Sequence, residues 1–297
     1  MRLFRIEHAL MLAVAVLIGE LLASSASIAA FPSVLWQVQP IPKFILPELP
    51  LLLCSLAVPV FIEMGSFALN DYFDVKTDKA NKRKDRPLAS GEISPRAAFA
   101  AAALCYVIGI AAALPLSSAA LYITLIFAFL SIAYNFKLKE LPLVGNIYIG
   151  ASMAIPFLFG NLVVAPSIYR QIWAIALVAF VAGLGREIIK SAEDMEGDVK
   201  HRNARTLPVV IGKKNSLLFA ALLYALLVPL SLSPFAFGLH ANILSLGLVL
   251  LTALSFAAMA YLAARASEKD QATFISLRKA SLLALGVGLL GYAASLL

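Results

Sequence analysis

Residues 51–91 read "LLLCSLAVPVFIEMGSFALNDYFDVKTDKANKRKDRPLASG", and the change of character at Asn70 decides how the chain must be organised. The run over 48–70 is nearly all apolar, long enough as a helix to cross a hydrocarbon layer about 30 Å thick. Residues 70–91 then gather four carboxylates and six basic side chains. A membrane-length helix that ends in dense charge puts that charge at the membrane surface.

The whole chain fits this reading. Its 297 residues are 61% hydrophobic and 14% charged, with a mean hydropathy of +0.89. A soluble domain carries about 25% charged residues, so lipid must cover most of this surface. Apolar runs near 8–30, 48–70, 95–114, 117–135, 143–165, 169–190, 215–233, 241–264 and 273–296 predict nine spanning helices, an all-α integral membrane protein. Arg2, Arg5 and the later "SSASIAA" resemble a secretion signal. The apolar run exceeds the 7–15 residues or so of a signal core and contains Glu20, so a retained first helix is expected.

Of 24 Lys and Arg residues, all but Lys43 and Arg170 fall in the loops or helix ends of one side. The positive-inside rule puts the N-terminus and those loops in the cytoplasm and the C-terminus outside, in a cell-membrane protein. That distribution also excludes nucleic acid as the partner of the net +7 charge. Residues 31–50, rich in proline and apolar side chains, suit an interfacial stretch with Trp36 at the headgroups. Cys54 and Cys105 lie in apolar runs and read as small hydrophobes. His8, His201 and His240 lack the spacing of a metal site.

Asn70, Asp74 and Asp78 stand at i, i+4, i+8, which puts them on one helix face. Asp71 flanks them, and Glu63, seven residues earlier, returns to that face deeper in the membrane. "GREIIKSAEDMEGDVKHRNARTLPVVIG" repeats the pattern after the sixth run, with Asp194 and Asp198 at i, i+4 and Glu187 and Lys190 in the turns before. A basic segment follows each set, and Ser94–Pro95 reads as the N-cap and first residue of the next helix. The two acidic segments, 70–78 and 187–198, suggest an internal repeat within one polytopic domain, 1–297. A charge run beyond a helix end is ordinarily a solvated face. Two such runs with the same spacing point instead to magnesium, which takes one or two carboxylates and completes its octahedron with water and phosphate oxygens. Neighbouring Lys and Arg side chains would neutralise the remaining phosphate charge, so the inferred ligand is a diphosphate with a lipid tail.

These motifs resemble the UbiA-type intramembrane prenyltransferases. "NDYFDVKTD" is similar to that family's N-D-x-x-D-x-x-x-D, "NKRKDRPLASG" to its N-x-x-R-P-L-x-S-G, and "DMEGD" to its D-x-x-x-D. "YNFKLKELPLVGN" and "RTLPVVIG" match further segments in the same order. The resemblance implies nine helices around a central cavity with a lateral opening to lipid. It also implies transfer of an isoprenyl group from a prenyl diphosphate donor, such as geranylgeranyl diphosphate, with release of pyrophosphate. Asn70, Asp74, Asp78, Asp194 and Asp198 would hold two Mg2+ ions, with Asp71 in support. Arg83, Arg86, Lys137, Lys139 and Lys190 would bind diphosphate. Tyr134 would lie near the reacting carbon, Asn146 would orient the site and Glu63 would meet the acceptor, while Phe136 and Tyr148 read as packing residues. Ser191 stands where the family often has another acid.

The partners expected are the donor, membrane lipid and a lipophilic or aromatic acceptor. "RIEHALMLA" resembles relatives that prenylate quinone precursors, so an aromatic, lipoquinone-type acceptor is the first expectation. "GREIIK" with "EDMEGD" also resembles enzymes that use geranylgeranylglyceryl phosphate, the alternative. A transporter is the remoter alternative, disfavoured because the acids sit at helix ends rather than at the midplane. A CDP-alcohol phosphotransferase is set aside because the chain has no Asp-Gly dipeptide.

Overall fold

The computed structural model describes residues 3–29, 47–80, 83, 86–202, 205–268 and 270–297, with the side chains of 26–29 and 196–202 outside the description. The expected interfacial stretch falls largely on 31–46 and so lies outside the described residues. The elements are α1 (Ile6–Ala29), α2 (Leu49–Ala80), α3 (Pro87–Ser90), α4 (Pro95–Ala113), α5 (Ser118–Phe136), α6 (Val144–Val164), α7 (Arg170–Arg202), α8 (Leu207–Ile211), α9 (Lys213–Leu230), α10 (Ser233–Ala236), α11 (Ile243–Arg265) and α12 (Gln271–Ala294). A single 3-10 turn, Leu138–Glu140, joins α5 to α6. Among the described residues there is no strand, and nine helices are long and apolar enough to cross a membrane.

Local chemistry sets the helix starts. The Ser94 hydroxyl accepts the Ala97 N–H at 3.2 Å ahead of Pro95, the cap expected from the sequence. Ser117 accepts the Ala120 N–H at 3.1 Å and donates to the Leu162 carbonyl at 2.6 Å, which ties the start of α5 to α6. Asn242 and Ser245 form a reciprocal capping box on α11. Asp270 caps α12, and the hydroxyl and N–H of Thr273 hold its carboxyl below the ordinary carboxylate range.

Two helices run well past their apolar segments. At 1.5 Å per residue, the 32 residues of α2 and the 33 of α7 each span roughly 50 Å, against about 30 Å of hydrocarbon. The apolar runs ended near 70 and 190, yet both helices continue through their acidic segments. The carboxylates therefore stand on rigid helix rather than on loop.

In lipid, helices associate through close packing and interhelical hydrogen bonds. α7 is the most buried span, with α6 on one side and α9 and α12 on the other. α2 packs on α4, and α1 on α6 and α2. At the α1–α6 crossing a side chain at Gly160 would overlap the Val16 carbonyl, and one at Gly19 would meet the Phe157 backbone. Glu20 is fully buried beside this crossing. Large apolar side chains such as Phe129, Leu283 and Ile243 are exposed on the outside of the bundle, where lipid covers them.

Candidate active site

A cavity of about 680 Å³ sits between the acidic ends of α2 and α7, within the range of small-molecule sites. The i, i+4, i+8 register of α2 turns Asn70, Asp74 and Asp78 into it. From α7 come Glu187, Lys190, Ser191 and Asp194, spaced i, i+3, i+4, i+7 and hence on one face. The side chain of Asp198, one turn further on, lies outside the described residues. Arg5, Arg83, Arg86, Lys139, Lys190 and Arg278 supply the basic part of the lining.

Asp71 points away from the cavity, because one residue's advance turns it about 100° from Asn70. It is 1% exposed, and its Oδ1 accepts from Arg5 Nη2 at 2.8 Å and Arg86 Nη1 at 2.6 Å. Both arginines line the cavity, so Asp71 is a positioning residue that holds two cations in its wall.

Lys139 and Lys137 part company. Lys139 Nζ enters the cavity and meets Asp74 Oδ1 at 2.7 Å. Lys137 does not line it; its Nζ pairs with Glu140 Oε2 at 2.6 Å on the surface. The 3-10 turn explains the split, since at three residues per turn 137 and 140 eclipse while 139 faces a third of a turn away. The diphosphate-binding role expected of Lys137 is therefore not supported by its placement.

Tyr134 lines the cavity and stacks on Tyr148, with ring centroids 4.6 Å apart. The packing role expected of Tyr148 understates its position. It lines both this cavity and an adjoining narrow apolar pocket of about 70 Å³ between α1, α2, α5 and α6. Glu63 and Ser152 are likewise shared by the two spaces. Phe136 is largely exposed and its ring meets Phe73 edge-on, with centroids 5.8 Å apart. Asn146 does not line the cavity; its Nδ2 donates to Ser191 Oγ at 2.8 Å, which fixes α6 to α7.

Several lining residues escaped the sequence reading. Asn135 Nδ2 donates to the Ser66 carbonyl and hydroxyl, each at 3.2 Å, and to the Ser131 carbonyl at 3.0 Å, locking α5 to α2. Arg278 Nη1 reaches Glu193 Oε2 at 3.3 Å from α12. Thr206 lines the cavity as well, as do Ser66, Thr77 and Ser152. A charge inside the apolar run 273–296 was the signal available for Arg278. Asn135 and Thr206 lie inside the segments "YNFKLKELPLVGN" and "RTLPVVIG", but no spacing singled them out as cavity residues.

The fit to a metal rests on the donor set. Asn70, Asp74 and Asp78 offer oxygens from one wall and Asp194 from the other. Among the described residues, no three His, Cys, Asp or Glu side chains form a ready-made cage. An open, all-oxygen set of this kind suits magnesium, which keeps water and takes phosphate oxygens.

The UbiA prenyltransferase family model matches residues 26–283. The chain is 34% identical over 291 residues to the digeranylgeranylglyceryl phosphate synthase of Archaeoglobus fulgidus, covering 98% of the chain and 92% of that relative. With the synthase of the same name from Pyrococcus furiosus it shares 39% over 194 residues, 65% of the chain and 69% of the relative. A solved structure described for digeranylgeranylglyceryl phosphate synthase in membranes superposes with a TM-score of 0.78 at 28% identity, covering 99% of this chain and 96% of that one. A UbiA homolog from Archaeoglobus fulgidus bound to GPP and Mg2+ shares the fold, with a TM-score of 0.60 at 19% identity over 96% and 99% of the two chains.

These relatives overturn the aromatic, lipoquinone-type acceptor that "RIEHALMLA" suggested. The physical reason lies in the stretch itself. Glu7 and His8 are exposed and face each other outside the cavity, and of that stretch Arg5 alone lines it. Nine spanning helices among the described residues, two acidic helix ends about one cavity and a family match over most of the length lead to one conclusion: the chain belongs to the UbiA prenyltransferase family and is a membrane-embedded prenyltransferase.

Proposed function

We propose that the protein transfers a geranylgeranyl group from its diphosphate to the free hydroxyl of geranylgeranylglyceryl phosphate, releasing pyrophosphate. The observation that carries this reading is the likeness over 98% of the chain and 92% of the relative to a digeranylgeranylglyceryl phosphate synthase. The basic lining of the cavity supports it, since this reaction brings a diphosphate and a monophosphate into one space.

Residues 1–297 work as one domain in this reading, and the segments 70–78 and 187–198 are the matching ends of two repeated halves. Two magnesium ions, held by Asn70, Asp74 and Asp78 on one side and Asp194 and Asp198 on the other, would supply Lewis-acid stabilisation of the leaving pyrophosphate. Lys139, Lys190, Arg83 and Arg86 bind the diphosphate oxygens and balance their charge. The tail enters the apolar pocket beyond Tyr148. The C1–O bond breaks with its electron pair on pyrophosphate, and the acceptor hydroxyl oxygen bonds to C1. The stacked Tyr134 and Tyr148 offer aromatic faces to the electron-poor allylic carbon. Glu63, at the junction of the two spaces, takes the hydroxyl proton. The apolar walls keep water from intercepting the carbon.

Purified protein in lipid, with magnesium and geranylgeranyl diphosphate, should convert geranylgeranylglyceryl phosphate to a doubly prenylated lipid and leave hydroxybenzoate and naphthoate acceptors unprenylated. Glu63→Gln should slow that conversion about 10²-fold while donor binding stays unchanged. Product formed only with an aromatic acceptor would refute the proposal.

We also infer that the cavity opens on the cytoplasmic side, because nearly all Lys and Arg residues lie at that end. Inverted sealed membrane vesicles should then consume donor added outside, and right-side-out vesicles should not. The opposite pattern would reverse the orientation.

A further inference from the structure

Thr206 immediately precedes α8, a position where threonine ordinarily spends its side-chain oxygen on a helix N–H. Here it makes no such cap. Its backbone carbonyl accepts the Val209 and Val210 N–H groups at 3.0 and 3.2 Å, and among the described residues its hydroxyl has no hydrogen-bond partner. The residue is 6% exposed and lines the cavity. A buried hydroxyl without a partner is costly, and the orphan is therefore informative about what the cavity receives.

A backbone link shows which corner it faces. The Arg205 N–H donates to the Glu140 carbonyl at 3.1 Å, joining the segment after α7 to the 3-10 turn between α5 and α6. The residues next to this bonded pair are Thr206 and Lys139, and both line the cavity. Lys139 in turn reaches Asp74 on α2. On the same flank Ser191 Oγ is held by Asn146, and its own proton is not used in that bond.

We propose that Thr206 is a further diphosphate-binding residue, its hydroxyl donating to a phosphate oxygen of the donor in the corner it shares with Lys139. The inference rests on the reading of the donor as a prenyl diphosphate. A hydroxyl aimed at an anionic oxygen makes a short, charge-assisted bond, stronger than one between neutral groups. It also offers what Lys139 does not, a directional donor on a short side chain carried by the rigid start of α8. In the family-like stretch "RTLPVVIG" this gives the threonine a task beyond holding the turn.

The test uses full-length protein in nanodiscs with magnesium pyrophosphate as probe, which carries the headgroup without the tail. Thr206→Val keeps shape and removes the hydroxyl. Its Kd for magnesium pyrophosphate should rise about tenfold, a change of about 1.4 kcal/mol, with the KM for donor rising in parallel and that for acceptor unchanged. Thr206→Ser should restore affinity. The melting temperature of ligand-free Thr206→Val should equal or exceed that of the wild type, because the variant buries a methyl in place of an unpartnered hydroxyl. An unchanged Kd in Thr206→Val overturns the inference. So does a lowered melting temperature with a loss that serine does not rescue, since that marks a structural role. If wild-type protein fails to bind magnesium pyrophosphate, the prenyl diphosphate reading itself falls, and this inference with it.

Discussion

Asp74→Asn is expected to lower turnover by about 10²–10³-fold, the usual cost of removing one group that stabilises developing charge. The substitution preserves shape on a continuous helix, so the fold should survive. What changes is the charge at the centre of the acidic face, between Asn70 and Asp78. Asp74 Oδ1 lies 2.7 Å from Lys139 Nζ, and both side chains are only 9% exposed. In the proposed site an amide there would give magnesium a weaker ligand and alter the field around Lys139. Initial rates measured across a magnesium titration check this. The variant should need more magnesium to reach its own maximum, and that maximum should remain low. A rate within threefold of the wild type at ordinary magnesium would remove Asp74 from the metal set.

Asp71→Asn carries the second large effect, on stability as well as rate. The wild-type carboxylate is almost fully buried and pairs with two guanidinium groups that are themselves 23% and 19% exposed. Removing one partner of a buried ionic cluster costs about 3 kcal/mol, because the remaining charges keep their desolvation without their counter-ion. Arg5 and Arg86 also line the cavity, so loosening them should raise the KM for substrate while kcat falls less. Thermal unfolding and steady-state kinetics of Asp71→Asn, Arg5→Met and the double variant form a cycle. A clamp predicts strong non-additivity. Additive effects would mean that Asp71 and Arg5 act separately, contrary to their 2.8 Å contact.

The periodic parts of this protein were legible in its sequence. Nine apolar runs predicted the spans, and the i, i+4 spacing put Asp74 and Asp78 on one face because helix geometry leaves no other choice. The second acidic segment showed the same i, i+4 spacing at Asp194 and Asp198, with Glu187 and Lys190 in the turns before. Contacts between distant segments were not legible, because nothing in a local pattern names the partner. Asp71 read as support for the acidic cluster, yet its partner Arg5 lies 66 positions away and turns it into a clamp. Lys137 and Lys139 looked equivalent until a turn of three residues separated them. Thr206 lay inside a recognised motif and still gave no sign that its hydroxyl was left over. The acceptor misled for a related reason. The opening stretch that resembled quinone-pathway enzymes turns Glu7 and His8 to the outer surface and sends only Arg5 to the cavity, as the partner of Asp71.

The overhang of α2 and α7 beyond the hydrocarbon has a consequence for the direction of the reaction. Chemistry is carried out at a phase boundary, with about 18 Å of helix standing in the headgroup layer and the water beyond it. In the proposed reaction the two products would leave in opposite directions. The lipid, then bearing two long chains, would move sideways into the bilayer, and pyrophosphate, stripped of its tail, would diffuse into bulk water. Reversal would require both to return to the same narrow layer together, so the overhang would separate the products of that reaction and favour the flow of carbon into the membrane.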